Sequence, residues 1–225
     1  VQELLQVAGW LTVAVTGGGY MSAEFGFARG FEVFHDHVGG VVPATQQIID
    51  ILADRNEDTR PVFTFFHTYQ VHSPYEPPAR YKDLFGEYEG GVESSSEALL
   101  AIQNSASKVL TRDDFEYLES LYDGEIRHTD TVIGRMLSKL EEEGILDNTV
   151  VIVTADHGEE FGDHGGLLHR GTLFDELVLV PFIVWGRGVE PGVVELSDLG
   201  HGDGRDLHVV QGDLALRVVV AQHGQ

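Results

Sequence analysis

Cysteine is absent from the 225 residues. That excludes a disulfide framework and a thiolate metal site, and leaves the redox compartment unconstrained. Basic residues are scarce: 14 Lys and Arg stand against 37 Asp and Glu, a formal net charge of −23. Only Lys82, Lys108 and Lys139 are lysines. Such a balance argues against a nucleic-acid backbone or an anionic membrane surface as partner. Long apolar runs are missing too, and nothing approaches the roughly eighteen residues that a bilayer span needs. What remains, at 42% hydrophobic content, is enough for one sizeable core, so a single α/β domain or a large part of one is expected.

The most informative stretch is Thr149 to His169, TVVIVTADHGEEFGDHGGLLH. Val150 to Val153 form a continuous apolar run that stops at Asp156-His157-Gly158, as a buried central strand does when it delivers polar residues to its carboxyl end. In open α/β sheets ligands sit at that edge. An isolated Asp-His pair reads first as a solvated turn. Here His157, His164 and His169 fall within thirteen positions, and a carboxylate beside an imidazole suits a divalent cation held by one oxygen and one nitrogen.

Other elements fall in order around this strand. Gln2 to Val7 read as the end of a helix, Thr12 to Thr16 as a short strand broken by Gly17-Gly18-Gly19, and Pro43 opens a helix running to about Arg55. Pro61 to Tyr69 read as a buried strand leading into HTYQVHSPYEPP, where Pro74, Pro77 and Pro78 forbid helix and hold His72 on a stiff loop. His67 reads as a packed core residue, His35 and His37 as exposed loop residues. Residues 81–110 read as a surface loop, since Glu89 to Glu97 are rich in Gly, Ser and Glu. Thr111 with Asp114 resembles a capping box opening a long helix whose apolar face includes Phe115, Leu118, Leu121, Tyr122, Ile126, Ile133, Leu137 and Leu140. Asp123, Glu125 and Asp130 on it read as a solvated or salt-bridged face.

Four blocks, HSPYEPP (His72 to Pro78), YDGEIRHTDTVIGRML (Tyr122 to Leu137), TADHGEEFGDHGGLLH (Thr154 to His169) and VPFIVWG (Val180 to Gly186), in this order and spacing, resemble the sulfatases of the alkaline phosphatase superfamily. The resemblance implies an alkaline-phosphatase-like α/β fold, a mostly parallel central sheet flanked by helices, and metal-dependent hydrolysis of a sulfate monoester. It implies that Asp156 and His157 bind the metal, Ca²⁺ before Mg²⁺ or Mn²⁺, and that His72 and His169 are catalytic and contact the sulfate ester. His169 stands where the family commonly has Lys, with Arg170 as a neighbouring substitute, and His164 is expected in a supporting role that orients a ligand. GFARGFEVFHD (Gly26 to Asp36) resembles a segment whose aromatics pack under the active-site floor.

Sulfatases carry a nucleophile in a Cys/Ser-x-Pro-x-Arg motif after a pair of metal-binding Asp residues, and neither element is found. The expectation is therefore a partial catalytic domain over 1–196, truncated at its N-terminus, with a divergent tail or reading-frame artefact over 197–225; His201, His208 and His223 are given no role. Two alternatives stand beside a sulfatase: a phosphoryl or phosphonate ester hydrolase or phosphoethanolamine-type transferase of the same superfamily, and a non-catalytic metal-binding remnant.

Overall fold

A computed structural model describes residues 1–55, 58–82, 86, 88–105, 109–169, 171–189, 192 and 217–222. Arg170, His201, His208, His223 and the stretch 197–216 lie outside the described residues. The elements run α1 (Gln2–Val7), β1 (Leu11–Val15), β2 (Val33–His35), α2 (Val41–Ala53), β3 (Val62–His67), α3 (Ala79–Lys82), α4 (Ser96–Gln103) and α5 (Arg112–Glu142). They continue with β4 (Thr149–Thr154), β5 (Glu160–Phe161), β6 (Leu167–Leu168), α6 (Asp175–Val178), β7 (Phe182–Gly186) and β8 (Arg217–Gln222). No helix among the described residues is long and apolar enough to cross a membrane.

Six strands form one sheet in the order β2-β1-β3-β8-β4-β7. β1 pairs in parallel with β2 and β3, whereas β8 is antiparallel to both β3 and β4, so β2, β1, β3 and β4 all point the same way. β7 closes the sheet antiparallel to β4. The α/β sheet with helical cover is thus observed, parallel across β2, β1 and β3 and with four of its six strands pointing the same way, and the tail contributes to it, because β8 comes from within 197–225 and fills the gap between β3 and β4.

Strand periodicity decides which side chains meet which layer. On β3, Val62 and Phe66 join a core with Ala44, Ile48 and Leu52 of α2 and with Val132, Met136 and Leu140 of α5. The alternate residues Phe63 and Phe65 face the other way, against Phe27 and Phe31, with ring centroids 5.3–6.3 Å apart. The aromatics of Gly26 to Asp36 therefore cover the sheet face opposite the two helices.

A second core lies nearer the carboxyl ends of the strands. Leu118, Leu121 and Tyr122 from the first half of α5 pack with Val71, Tyr75, Leu99, Ile102, Phe161, Leu167 and Leu168. The 31-residue α5 belongs to both cores and so ties the sheet to the loops that carry the site. Its start is capped as expected: the Thr111 hydroxyl accepts from Asp114 N–H (3.2 Å) while Asp114 Oδ2 accepts from Thr111 N–H (2.8 Å). Within 81–110 the structure places α4, capped by Ser95, with Leu99 and Ile102 buried. Helical spacing in ALLAI prevails there over the loop-like composition that precedes it.

Candidate active site

Three parallel strands end at one edge of the sheet. β1 runs into Thr16-Gly17-Gly18, β3 into the loop bearing His72, and β4 into Asp156-His157-Gly158. The edge gathers the rings of His72, His157 and His169. His169 stacks on His157 with centroids 4.2 Å apart and an interplanar angle of 27°, and meets His72 edge-on at 5.2 Å. Tyr69 lies edge-on to His72 at 5.5 Å, and buried His67 packs edge-on to Tyr69 at 4.6 Å, a core position as expected.

Each ring is anchored through Nδ1. His72 Nδ1 is 2.8 Å from Ser73 O and His157 Nδ1 is 2.8 Å from Gly158 O. A carbonyl oxygen only accepts, so both rings carry their proton at Nδ1, which leaves Nε2 for a metal, a substrate or a second proton. His169 Nδ1 is 2.9 Å from Glu159 Oε1, and the Glu159 side chain is only 4% exposed. Tyr75, fully buried, sits beside Glu159; burial and then that carboxylate push its phenol well above the usual tyrosine range, so it stays neutral.

Asp156 is exposed at the end of β4, beside His157. A hard carboxylate oxygen next to an imidazole whose Nδ1 is already committed is a donor set that fits a divalent cation. The turn between strand and hairpin needs glycine at 158, because a Cβ there would lie 1.9 Å from Glu176 O, and the Gly158 N–H donates to Leu177 O at 2.9 Å. α6 is thereby docked directly under the Asp-His turn.

His164 takes a different place from the three rings. Its Nδ1 pairs with Glu176 at 2.7 Å and its ring stacks on Phe174 at 3.6 Å and 11°. Glu160 completes this group, all three offering ligand atoms within 4.8 Å of one another. Glu160 Oε1 accepts from the N–H groups of His164 (3.1 Å) and Gly166 (2.7 Å), so the cluster braces the β5–β6 hairpin against α6. His164 thus contacts α6 through Glu176 and does not join the three stacked rings.

Two functional candidates were not legible as such. Glu159 carried no signal beyond its place after Asp156-His157-Gly158. Glu125, read with Asp123 and Asp130 as part of a solvated helix face, is instead 2% exposed and hydrogen-bonded to the His72 loop. The signal was its spacing, seven residues after Leu118 on the apolar stripe of α5. Asp130 is exposed as expected, while Asp123 is half-buried, and burial raises its carboxyl pKa.

The Sulfatase family model matches residues 42–202, which include His72, Asp156, His157 and His169. An arylsulfatase of Clostridium perfringens is 27% identical over 150 residues, covering 62% of this chain and 30% of its own length. An arylsulfatase of Volvox carteri is 28% identical over 173 residues, covering 69% of this chain and 24% of its own. The chain thus spans about a quarter to a third of the length of these relatives. Among solved structures, the phosphonate monoester hydrolase of Agrobacterium radiobacter superposes with a TM-score of 0.60 at 17% identity, covering 82% of this chain and 52% of that one, and shares the fold. Matched by the family model over most of its length and folded as an alkaline-phosphatase-like α/β sheet, this chain belongs to the sulfatase family.

Proposed function

We propose that the chain carries part of the catalytic site of a metal-dependent sulfatase, which hydrolyses a sulfate monoester. The observation that supports this best is the convergence of His72, His157 and His169 at the carboxyl edge of the sheet, beside Asp156 and inside the matched region. Asp156 and His157 Nε2 would hold the cation, Ca²⁺ in the first instance and Mg²⁺ or Mn²⁺ in the second. When bound, such a cation supplies Lewis-acid stabilisation of charge on the ester oxygens.

The remaining work falls to the chain's own groups. His72, with Nδ1 committed to Ser73 O, can reach an ester oxygen only through Nε2, and it donates there when the ring is protonated. His169 has the same constraint through Glu159, so its Nε2 is the atom that can hold a sulfate oxygen or pass a proton to the departing alkoxide. The stack of His169 on His157 fixes the angle between the ring that touches substrate and the ring that touches metal.

The test is to express the complete gene product that includes this chain with a sulfatase maturation system, and to assay paired aryl sulfate and aryl phosphate esters with excess Ca²⁺, Mg²⁺ or Mn²⁺. Sulfate turnover that disappears in Asp156→Ala and in His72→Ala is the expected result. Phosphate turnover alone would move the protein to the phosphoryl and phosphonate branch of the superfamily, and metal binding without turnover of either ester would make it a non-catalytic remnant.

A further inference from the structure

A chain of hydrogen bonds joins α2 and α5 to the His72 loop, and the chemistry above does not use it. It begins at the first residue of α2, where Val41 N–H donates to Gln70 Oε1 at 3.1 Å. From the other end of the same amide, Gln70 Nε2 donates to Glu125 Oε2 at 2.9 Å. Glu125 Oε1 then accepts from Glu76 N–H at 3.1 Å. His72 lies between the two clamped positions, Gln70 and Glu76. Tyr69, Gln70, His72 and Glu125 also help to line one cleft of about 370 Å³.

The direction of these bonds dictates the chemistry at position 125. Val41 N–H can only donate, so Gln70 must turn its carbonyl there and its NH₂ toward α5. Glu76 N–H can also only donate. Residue 125 therefore faces two donors and has to supply two acceptors, which a carboxylate does and an amide cannot. The charge carries a cost: burial pushes the Glu125 carboxyl above the usual glutamate range, and among the described residues it has no cationic partner. Packing alone would be served as well by an uncharged side chain of the same shape.

We propose that Glu125 is a positioning residue: its carboxylate, acting through Gln70 and the Glu76 backbone, holds the loop that presents His72. What His72 then does rests on the sulfatase reading; how it is held does not.

Glu125→Gln is the discriminating variant, because it keeps the shape, removes the buried charge and places a donor against a donor. The swap Gln70→Glu/Glu125→Gln restores the polarity. The carboxylate moves to position 70, where it accepts from Val41 N–H and from the new amide at 125, whose own carbonyl accepts from Glu76 N–H. The readout on this chain is the His72 imidazole nitrogen spectrum by NMR, which in the parent reports a ring protonated at Nδ1. Glu125→Gln should remain folded with the His72 signal shifted toward mixed tautomers, and the swap should return it. In the complete gene product the single variant should lose on the order of 100-fold in kcat/KM, as displacement of a reacting group by about 1 Å does, with most of it recovered in the swap. A folded Glu125→Gln chain with an unchanged His72 signal would overturn the proposal. So would a folded swap whose His72 signal is not that of the parent, which is the deciding measurement should the single variant fail to fold. Failure of the sulfatase reading would show as absent sulfate turnover in the parent protein while these spectra keep their meaning.

Discussion

Glu159 shows how much of this site is set by single acceptors. Its Oε1 holds His169 Nδ1 at 2.9 Å from a nearly fully buried position, so the ring is fixed in tautomer and in its stack on His157. Carboxylates that orient a site histidine through its other ring nitrogen are worth roughly 10–100-fold when removed. Glu159→Ala is expected to lower kcat on an aryl sulfate by about that factor. Glu159→Gln, which keeps a carbonyl acceptor, should lose less; equal losses in steady-state kinetics would mean that the charge matters and the bond does not. His164 offers a pH test. Its bond to Glu176 raises the imidazole pKa above the ordinary value, so the folded state favours the protonated ring. That contribution to stability is complete below the unfolded pKa of about 6.5 and is lost as pH rises through the elevated folded value. The side chain is 47% exposed, so the effect is small and screened. Melting temperatures at pH 5.5 and pH 9 should differ less in His164→Ala than in the parent, and an unchanged difference would remove the pair from the stability balance. The meeting of His72, His157 and His169 at one edge of the sheet was readable because each stands at a motif position. Glu125 was not, because a carboxylate on a helix reads as solvated until its stripe is traced.

α5 connects the sheet core to the site core, so its N-terminal turn bears on the placement of Glu125 as well as on stability. Loss of the capping box in Thr111→Ala should cost about 1 kcal/mol, measured as a lower urea midpoint with an unchanged slope. A change in slope would mean that the first turns of α5 are unravelling from the core around Leu118 and Leu121. This helix was legible from sequence, from the Thr111 cap through the apolar face that runs to Leu140, as were β3, β4 and the Pro43 helix, because their periodicity is local. The sheet order was not. β8 pairs with β3 and β4 from a position far along the chain, and β7 runs antiparallel at the edge, both consequences of long-range pairing that alternation cannot encode. The two-residue strands β5 and β6 gave no pattern to read; they form because the β5–β6 turn folds over Glu160, whose carboxylate collects the turn's N–H groups.

At the scale of the whole chain the dominant number is the charge of −23. Among the described residues, four of the cations stand in largely exposed ion pairs: Arg29 with Glu3, Arg60 with Glu32 and Asp58, Arg112 with Glu116, and Lys139 with Glu142 and Glu143. Pairs of this kind contribute about 0–1 kcal/mol each and weaken with salt. With 37 acidic and 14 basic residues, pairing one to one leaves most carboxylates uncompensated, so self-repulsion outweighs the pairs. Added monovalent salt shortens the screening length from about 10 Å at 0.1 M to about 3 Å at 1 M, which removes more repulsion than attraction. The melting temperature of the chain should therefore rise with NaCl, by about 2–4 °C for each kcal/mol of repulsion relieved. Choline chloride at equal ionic strength separates the possible causes. Equal rises in both salts identify screening, a rise in NaCl alone identifies bound sodium, and a fall in both would show that the ion pairs, few as they are, outweigh the repulsion among the excess carboxylates.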